Sequence, residues 1–222
     1  MEKQKLIIYG NKSVARGAYS GFSRSPKYEV VAFTVDRESL EGDRFCGLPV
    51  APFDTVNKAF PPETHGMFIA IGYVKTNKLR KERYLQSKDM GYRLVSSVSP
   101  TAIVNPGITI GENCVIGDFV VISDNVRIGN NVFISTACTI GHDVVIGDHC
   151  LLSDGVSVGG SVSIGSCAYL GMRSIIRTRV SIGNDCVIGA GALMLEDAED
   201  GSVYMGEPAT LLPISSEKLP LG

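Results

Sequence analysis

The sequence is poor in the residues that most often announce a function. It has three histidines, and its six cysteines include no C-x-x-C pair, so the spacings of a zinc or dithiol site are missing. No stretch approaches the ~20 consecutive apolar residues that span a bilayer. The opening "MEKQKLIIYG" is charged before it is briefly apolar, unlike a secretory leader. The expectation is a cytoplasmic protein with no membrane span. A net charge of −2 argues against nucleic acid as a partner, because phosphate-backbone affinity comes from clustered Lys and Arg.

The small net charge hides an asymmetry. Residues 1–97 carry sixteen Lys and Arg against ten Asp and Glu, a balance of +6, whereas residues 98–222 carry five against thirteen, a balance of −8. Two domains are expected, divided at that point.

The second of them holds the strongest pattern in the chain. Every sixth residue from Val98 through Ile110, Ile128, Ile146 and Ile164 to Ile188 is aliphatic, sixteen in succession without a slip. The next residue is usually Gly, and four positions after each aliphatic comes a small or branched apolar residue. A helix repeats near 3.6 and a strand at 2, so neither produces a strict six. A short fixed period means a stacked solenoid whose rungs bury their apolar edges against one another. The Gly suits a tight corner where a side chain would clash. Cys114, Cys138, Cys150 and Cys186 fall in the small-apolar slot and act there as small hydrophobes; Cys167 lies one position off it, and Cys46 lies in the first domain.

In residues 1–97, "KLIIYG", "YEVVAFTVD" and "MFIAIGYV" read as buried strands, separated by a helix within "NKSVARGAYSGFSRS" and followed by a Lys/Arg-rich helix stopped at Gly91. Strand and helix in alternation predict a small parallel, Rossmann-like α/β unit. Ligands in such sheets bind beyond the carboxyl ends of the strands. Those ends gather Gly10, Asn11, Lys12, Ser13, Asp36, Gly72 and Asn77 around one crevice.

The six-residue ladder resembles that of the hexapeptide-repeat acyltransferases. With the α/β unit before it, "FCGLPV" after the second strand and "VYMGEPATLLP" near the end, the whole chain resembles the bacterial sugar acyltransferases of the sialic acid O-acetyltransferase type. These include enzymes that N-acetylate nucleotide-linked 4-amino sugars. The resemblance implies an all-β left-handed parallel β-helix of triangular section, with three hexapeptides per turn and a homotrimer with active sites between subunits. It implies an acetyl-CoA-dependent N-acetyltransferase acting on a nucleotide-linked 4-amino-dideoxy sugar in bacterial glycan biosynthesis. The alternative is O-acetylation of a hydroxyl, as in the sialic acid enzymes. The first domain would hold the nucleotide end of the sugar, although "GNKSVARG" lacks the further glycines usual in that loop.

The stretch "TIGHDVVIGDHC" interrupts the ladder with His142 and His149. Acyl transfer from a thioester needs a base for the attacking group and a donor for the developing oxyanion, which a neutral imidazole and a backbone N–H supply. In the resembling enzymes the base is the His of this rung with an acidic residue after it, and the acetyl carbonyl meets the Gly amide one turn on. His142, Asp143 and Gly160 match those positions. Gly160 would leave open space there, and Asp143 could orient the ring only if the chain bends, as at a Gly141 corner. The relatives carry Glu in place of Asp143 and Asn in place of Ser135. His149 reads as a corner facing water. Arg173, Arg177 and Arg179 stand among only five basic residues of the second domain and suit the phosphates of coenzyme A. Gly206, Pro208 and Ala209 resemble the stretch beside its adenine. A zinc-dependent hexapeptide helix of the γ-carbonic-anhydrase type needs three His ligands, and His65 lies in the other domain; no metal is expected.

Overall fold

A computed structural model of the protein describes residues 3–72, 77–211 and 213. The chain begins with β1 (Gln4–Tyr9), α1 (Ser13–Ser23), β2 (Tyr28–Val35), β3 (Arg44–Phe45), β4 (Leu48–Pro52), α2 (Val56–Ala59), β5 (His65–Ile69), α3 (Lys78–Asp89) and β6 (Arg93–Leu94). These strands form one sheet in the order β3-β4-β2-β1-β5-β6. Continuous apolar runs make its centre: Leu6, Ile7, Ile8, Phe33, Met67 and Ile69 are buried, as a sheet covered on both faces requires. The sheet is mixed rather than purely parallel, because β3 and β4 form an antiparallel hairpin at its edge. That hairpin is short and carries no long apolar run, so periodicity did not show it.

From Ser97 onward the chain turns into two-residue strands separated by four-residue connections. They stack in three parallel sheets: a first from Ser97–Val98 to Val203–Tyr204, a second from Ile103–Val104 to Leu193–Met194 and a third from Thr109–Ile110 to Ser181–Ile182. Partners stand eighteen residues apart, as in Ile122 with Ile140 and Ile128 with Ile146. One turn of the solenoid is therefore three hexapeptides. The ladder aliphatics and the small-apolar residues both point inward, and Cys114, Ile116, Val120, Ile122 and Val126 are all buried in one continuous core. Burying each such aliphatic contributes roughly 1.5–3 kcal/mol.

The corner is made differently from the expectation. The residue three places after each aliphatic, not the glycine one place after, takes the left-handed conformation, from Asn113 through Asp143 and His149 to Gly191, with φ between 54° and 70°. The glycine is needed for close stacking instead: a Cβ on Gly141 would lie 2.6 Å from the Gly160 backbone nitrogen on the next turn. In the last turn the spacing shortens to sixteen residues, with Val187 beside Val203.

The two parts meet along the solenoid edge between the third and first sheets. Asn113, Asn131 and His149 occupy its corners on successive turns, and α3 packs against them. On α3 the buried stripe is Arg80, Tyr84 and Ser87, at positions three and four apart on one helix face.

Candidate active site

His142 and Asp143 form a corner on the edge between the second and third sheets. Asp143 itself supplies the bend, with φ 59°, so that two adjacent side chains leave the corner on the same side. The His142 Nδ1 and Asp143 Oδ2 lie 2.7 Å apart. The same Asp143 carboxylate accepts the Asn125 amide at 2.6 Å from one turn below. That bond first, and the imidazole second, hold the Asp143 carboxyl below its ordinary range. With Nδ1–H donating to a carboxylate, the Nε2 lone pair is left free. Both side chains are exposed, 65% for His142 and 50% for Asp143.

Gly160 stacks one turn above His142, the Ser161 amide donating to the His142 carbonyl at 2.7 Å. The space over Gly160 is not open. The imidazole fills it, and a Cβ on Gly160 would lie 2.6 Å from His142 Nε2. At Asn130, Thr136 and Ser166, the matching amides are capped by an Asp or Asn side chain from the next turn. Thr178 stands in that position above Gly160, and among the described residues the Gly160 amide has no hydrogen-bond acceptor.

Arg177 and Arg179 lie on the same edge one turn further, the Arg179 amide donating to the Gly160 carbonyl at 3.0 Å. At the ~4.8 Å spacing of adjacent strands, they stand roughly 10 Å along the axis from His142. Arg173 lies on a different edge, between the first and second sheets. Gly206 packs on that edge too, where its Cβ would meet the Ala190 carbonyl at 2.3 Å. Pro208 and Ala209 follow it, exposed. His142, Arg177 and Arg179 on one side and Arg173 and Gly206 on the other border the outer face of the second sheet, which exposes Ile103, Val121, Ile175 and Leu193.

His149 does not face water. It is buried on the edge where α3 docks, edge-on to the Tyr84 ring. Its Nδ1 stands 3.0 Å from the Asn131 side-chain amide. Burial, with Lys81 and Arg80 nearby, pushes its pKa down to about 4. His142 and His149 therefore occupy different edges, and no group of three or more His, Cys, Asp or Glu among the described residues converges as a metal site would.

At the carboxyl ends of the α/β strands, Gly10 turns with φ 124°, and a Cβ there would meet the Ala70 carbonyl at 2.8 Å. The Asn11 amide donates to the Ser39 carbonyl at 3.0 Å. Lys12 caps α1 without a side-chain bond, and Lys12 and Ser13 are both exposed. Gly72 stands against Val14. Asp36 is paired with Arg83 at 2.7 Å, and Arg83 also reaches the Tyr9 hydroxyl. Asn77 departs from the expectation: it is 1% exposed, and its amide donates to the His149 carbonyl at 2.8 Å. It joins α3 to the solenoid and does not line the crevice. Arg83 and Arg80 were hidden from sequence reasoning within a Lys/Arg-rich helix. A stacked column at eighteen-residue spacing, Asn113, Asn131 and His149, was the available signal for the docking edge.

Two family models match the solenoid: the GMPPB C-terminal domain over residues 98–176 and the bacterial transferase hexapeptide (six repeats) over residues 161–195. Among solved structures, the chain is similar to PerB from Caulobacter crescentus, described in complex with CoA and GDP-perosamine. That match has 27% identity and a TM-score of 0.82, covering 93% of this chain and 96% of that one. A histidine-to-asparagine variant of the Caulobacter crescentus perosamine N-acetyltransferase, with the same two ligands, matches at 26% identity and a TM-score of 0.83, covering 93% and 95%. The acetyltransferase domain of PglB from Neisseria gonorrhoeae FA1090 shares the fold at 23% identity and a TM-score of 0.82, covering 95% and 100%. Repeat, fold and likeness define a left-handed parallel β-helix protein of the hexapeptide-repeat class. Within that class the chain is an acyltransferase of the bacterial sugar type.

Proposed function

We propose that the protein transfers an acetyl group from acetyl-CoA to the amino group of a nucleotide-linked 4-amino-dideoxy sugar used in bacterial glycan synthesis. One observation carries the reading: an exposed imidazole whose Nδ1 is held by Asp143 and whose Nε2 lies against Gly160. Nε2 takes the proton as the sugar amine attacks the thioester carbonyl. The Gly160 amide, which no protein group occupies among the described residues, donates to the oxygen as it becomes negative. Collapse of the adduct forms the amide bond, breaks the C–S bond and returns the proton to the departing thiolate. Asp143 keeps the imidazole in the required tautomer and steadies its charged form.

Coenzyme A runs along the outer face of the second sheet in this account. Arg177 and Arg179 on one border and Arg173 on the other meet its phosphates, and Gly206, Pro208 and Ala209 sit beside the adenine. That face exposes Ile103, Val121, Ile175 and Leu193 around a polar middle of Thr139 and Ser157, and His142 is largely exposed, so a second copy of the chain is needed to wall the groove, as in a homotrimer. Residues 98–222 form the acyltransferase domain and residues 1–97 the sugar domain. Gly10, Asn11, Lys12, Ser13, Asp36 and Gly72 border its acceptor crevice. The CoA and GDP-perosamine bound by the Caulobacter crescentus protein support this choice of donor and acceptor class. The setting proposed is the cytoplasm; no helix among the described residues is long and apolar enough to cross a membrane.

The test is thiol release from acetyl-CoA in the presence of GDP-, UDP-, dTDP- and CMP-linked amino sugars, with the hydroxyl-bearing analogues beside them. Release with one amino sugar and an N-acetylated product is expected. Release only with hydroxyl acceptors would replace the reading by O-acetylation, and silence across the panel would remove it.

A further inference from the structure

Arg80 is 1% exposed, and its hydrogen bonds all go to carbonyls: Ile69 at 3.4 Å, Asn131 at 2.8 Å and Asn113 at 2.9 Å. Burial, with no carboxylate partner among the described residues, pulls its pKa down to about 10, so it is still charged near neutrality. A buried cation is costly unless its donors are fully used. The three carbonyls belong to different parts of the fold: Ile69 ends β5 in the α/β sheet, while Asn113 and Asn131 are corners of successive solenoid turns. A rigid planar fork satisfies all three at only one relative placement of the two parts.

A column of side chains reinforces that placement. The Ile69 amide donates to Asn113 Oδ1 at 2.8 Å, Asn113 Nδ2 donates to Asn131 Oδ1 at 2.8 Å, and Asn131 Nδ2 reaches His149 Nδ1 at 3.0 Å. The Asn77 amide closes the column on the His149 carbonyl. One turn along α3, Arg83 holds Asp36 at 2.7 Å. The same helix thus grips the solenoid through Arg80 and a residue of the acceptor crevice through Arg83.

We propose that Arg80 is a positioning residue: it fixes where the acceptor crevice stands relative to the solenoid edges, and so where the sugar amine is delivered. The proposal rests on the acetyltransferase reading for its kinetic consequence but not for its structural one. Arg80→Lys keeps a cation and loses the fork. Asn77→Gly keeps the left-handed backbone and loses one bond of the column.

In the full-length protein, amide hydrogen exchange at Ile69 and Asn113 is expected to accelerate in Arg80→Lys, with the Ile140 and Ile146 rungs unchanged. Because small misplacement costs reaction rate steeply, kcat/KM for the amino-sugar nucleotide should fall about 10–100-fold while KM for acetyl-CoA stays within about twofold. If Arg80→Lys fails to fold, Asn77→Gly should show a smaller change in the same direction. Unaltered exchange in the folded variants, or a loss falling equally on both substrates, would overturn the proposal. A wild-type protein inactive on every amino sugar would remove the acetyltransferase reading, and the exchange result would still decide whether Arg80 fixes the docking.

Discussion

Gly160 and His142 occupy one space: the Cβ that any other residue would place at position 160 falls 2.6 Å from the imidazole Nε2. The glycine is therefore part of the base's surroundings, whatever its own amide does. Its absence from the positive-φ residues means that a side chain there is opposed by the ring, not by the backbone.

Gly160→Ala should swing the imidazole off its corner. Turnover is expected to fall by about 10²-fold, the scale of misplacing a catalytic group. The thermal midpoint should move little, because the exposed ring can yield. Steady-state rates with calorimetry on the same preparation check both halves. A variant of unchanged rate would show that the observed ring position is not the working one.

Asp143→Asn keeps a residue that tolerates the left-handed corner but puts an amide where a carboxylate now accepts from Nδ1. The wrong tautomer then competes, and kcat should fall by at least about tenfold, with KM for acetyl-CoA little changed. The Asp143 carboxyl, held below its ordinary range, should remain charged through the working pH range.

His149 predicts a stability signature instead. Its pKa is pushed down to about 4 from an ordinary 6.5, so between those values the unfolded chain binds a proton that the folded chain refuses. Stability contributed by the neutral ring is present above about pH 6.5 and is lost as pH falls towards 4. His149→Asn suits the left-handed corner and can still accept from Asn131 through its side-chain oxygen. Thermal melts from pH 7 to pH 4 should show a shallower decline in the variant than in the wild type. Parallel declines would contradict the buried, neutral imidazole.

The architecture of the second half was legible because a solenoid repeats its energetics. Each ladder aliphatic from position 98 to 176 meets the residue eighteen places on, and the period states that contact directly. The stacking of Gly160 one turn from His142 was expected from the resemblance and holds. His149 was misread because a hexapeptide pattern places every corner outside the core but carries no information about what covers an edge. Asn77 failed for the same reason. Its position at a strand-to-helix connection suggested the crevice, whereas the docking of α3 turns its side chain towards the solenoid. Arg80 hides in "KLRKERYLQSKD" because charged residues usually mark the wet face of a helix, and here one of them seals the dry one.

The account turns on whether the corner imidazole removes the proton from the sugar amine. The most direct measurement is the turnover of His142→Ala with acetyl-CoA and the amino-sugar nucleotide that supports wild-type thiol release. The side chain is exposed, so the fold and binding of both substrates should survive. The predicted result is a fall in kcat of about 10²–10⁴-fold, the range for losing a general base. A variant that turns over at the wild-type rate would contradict it.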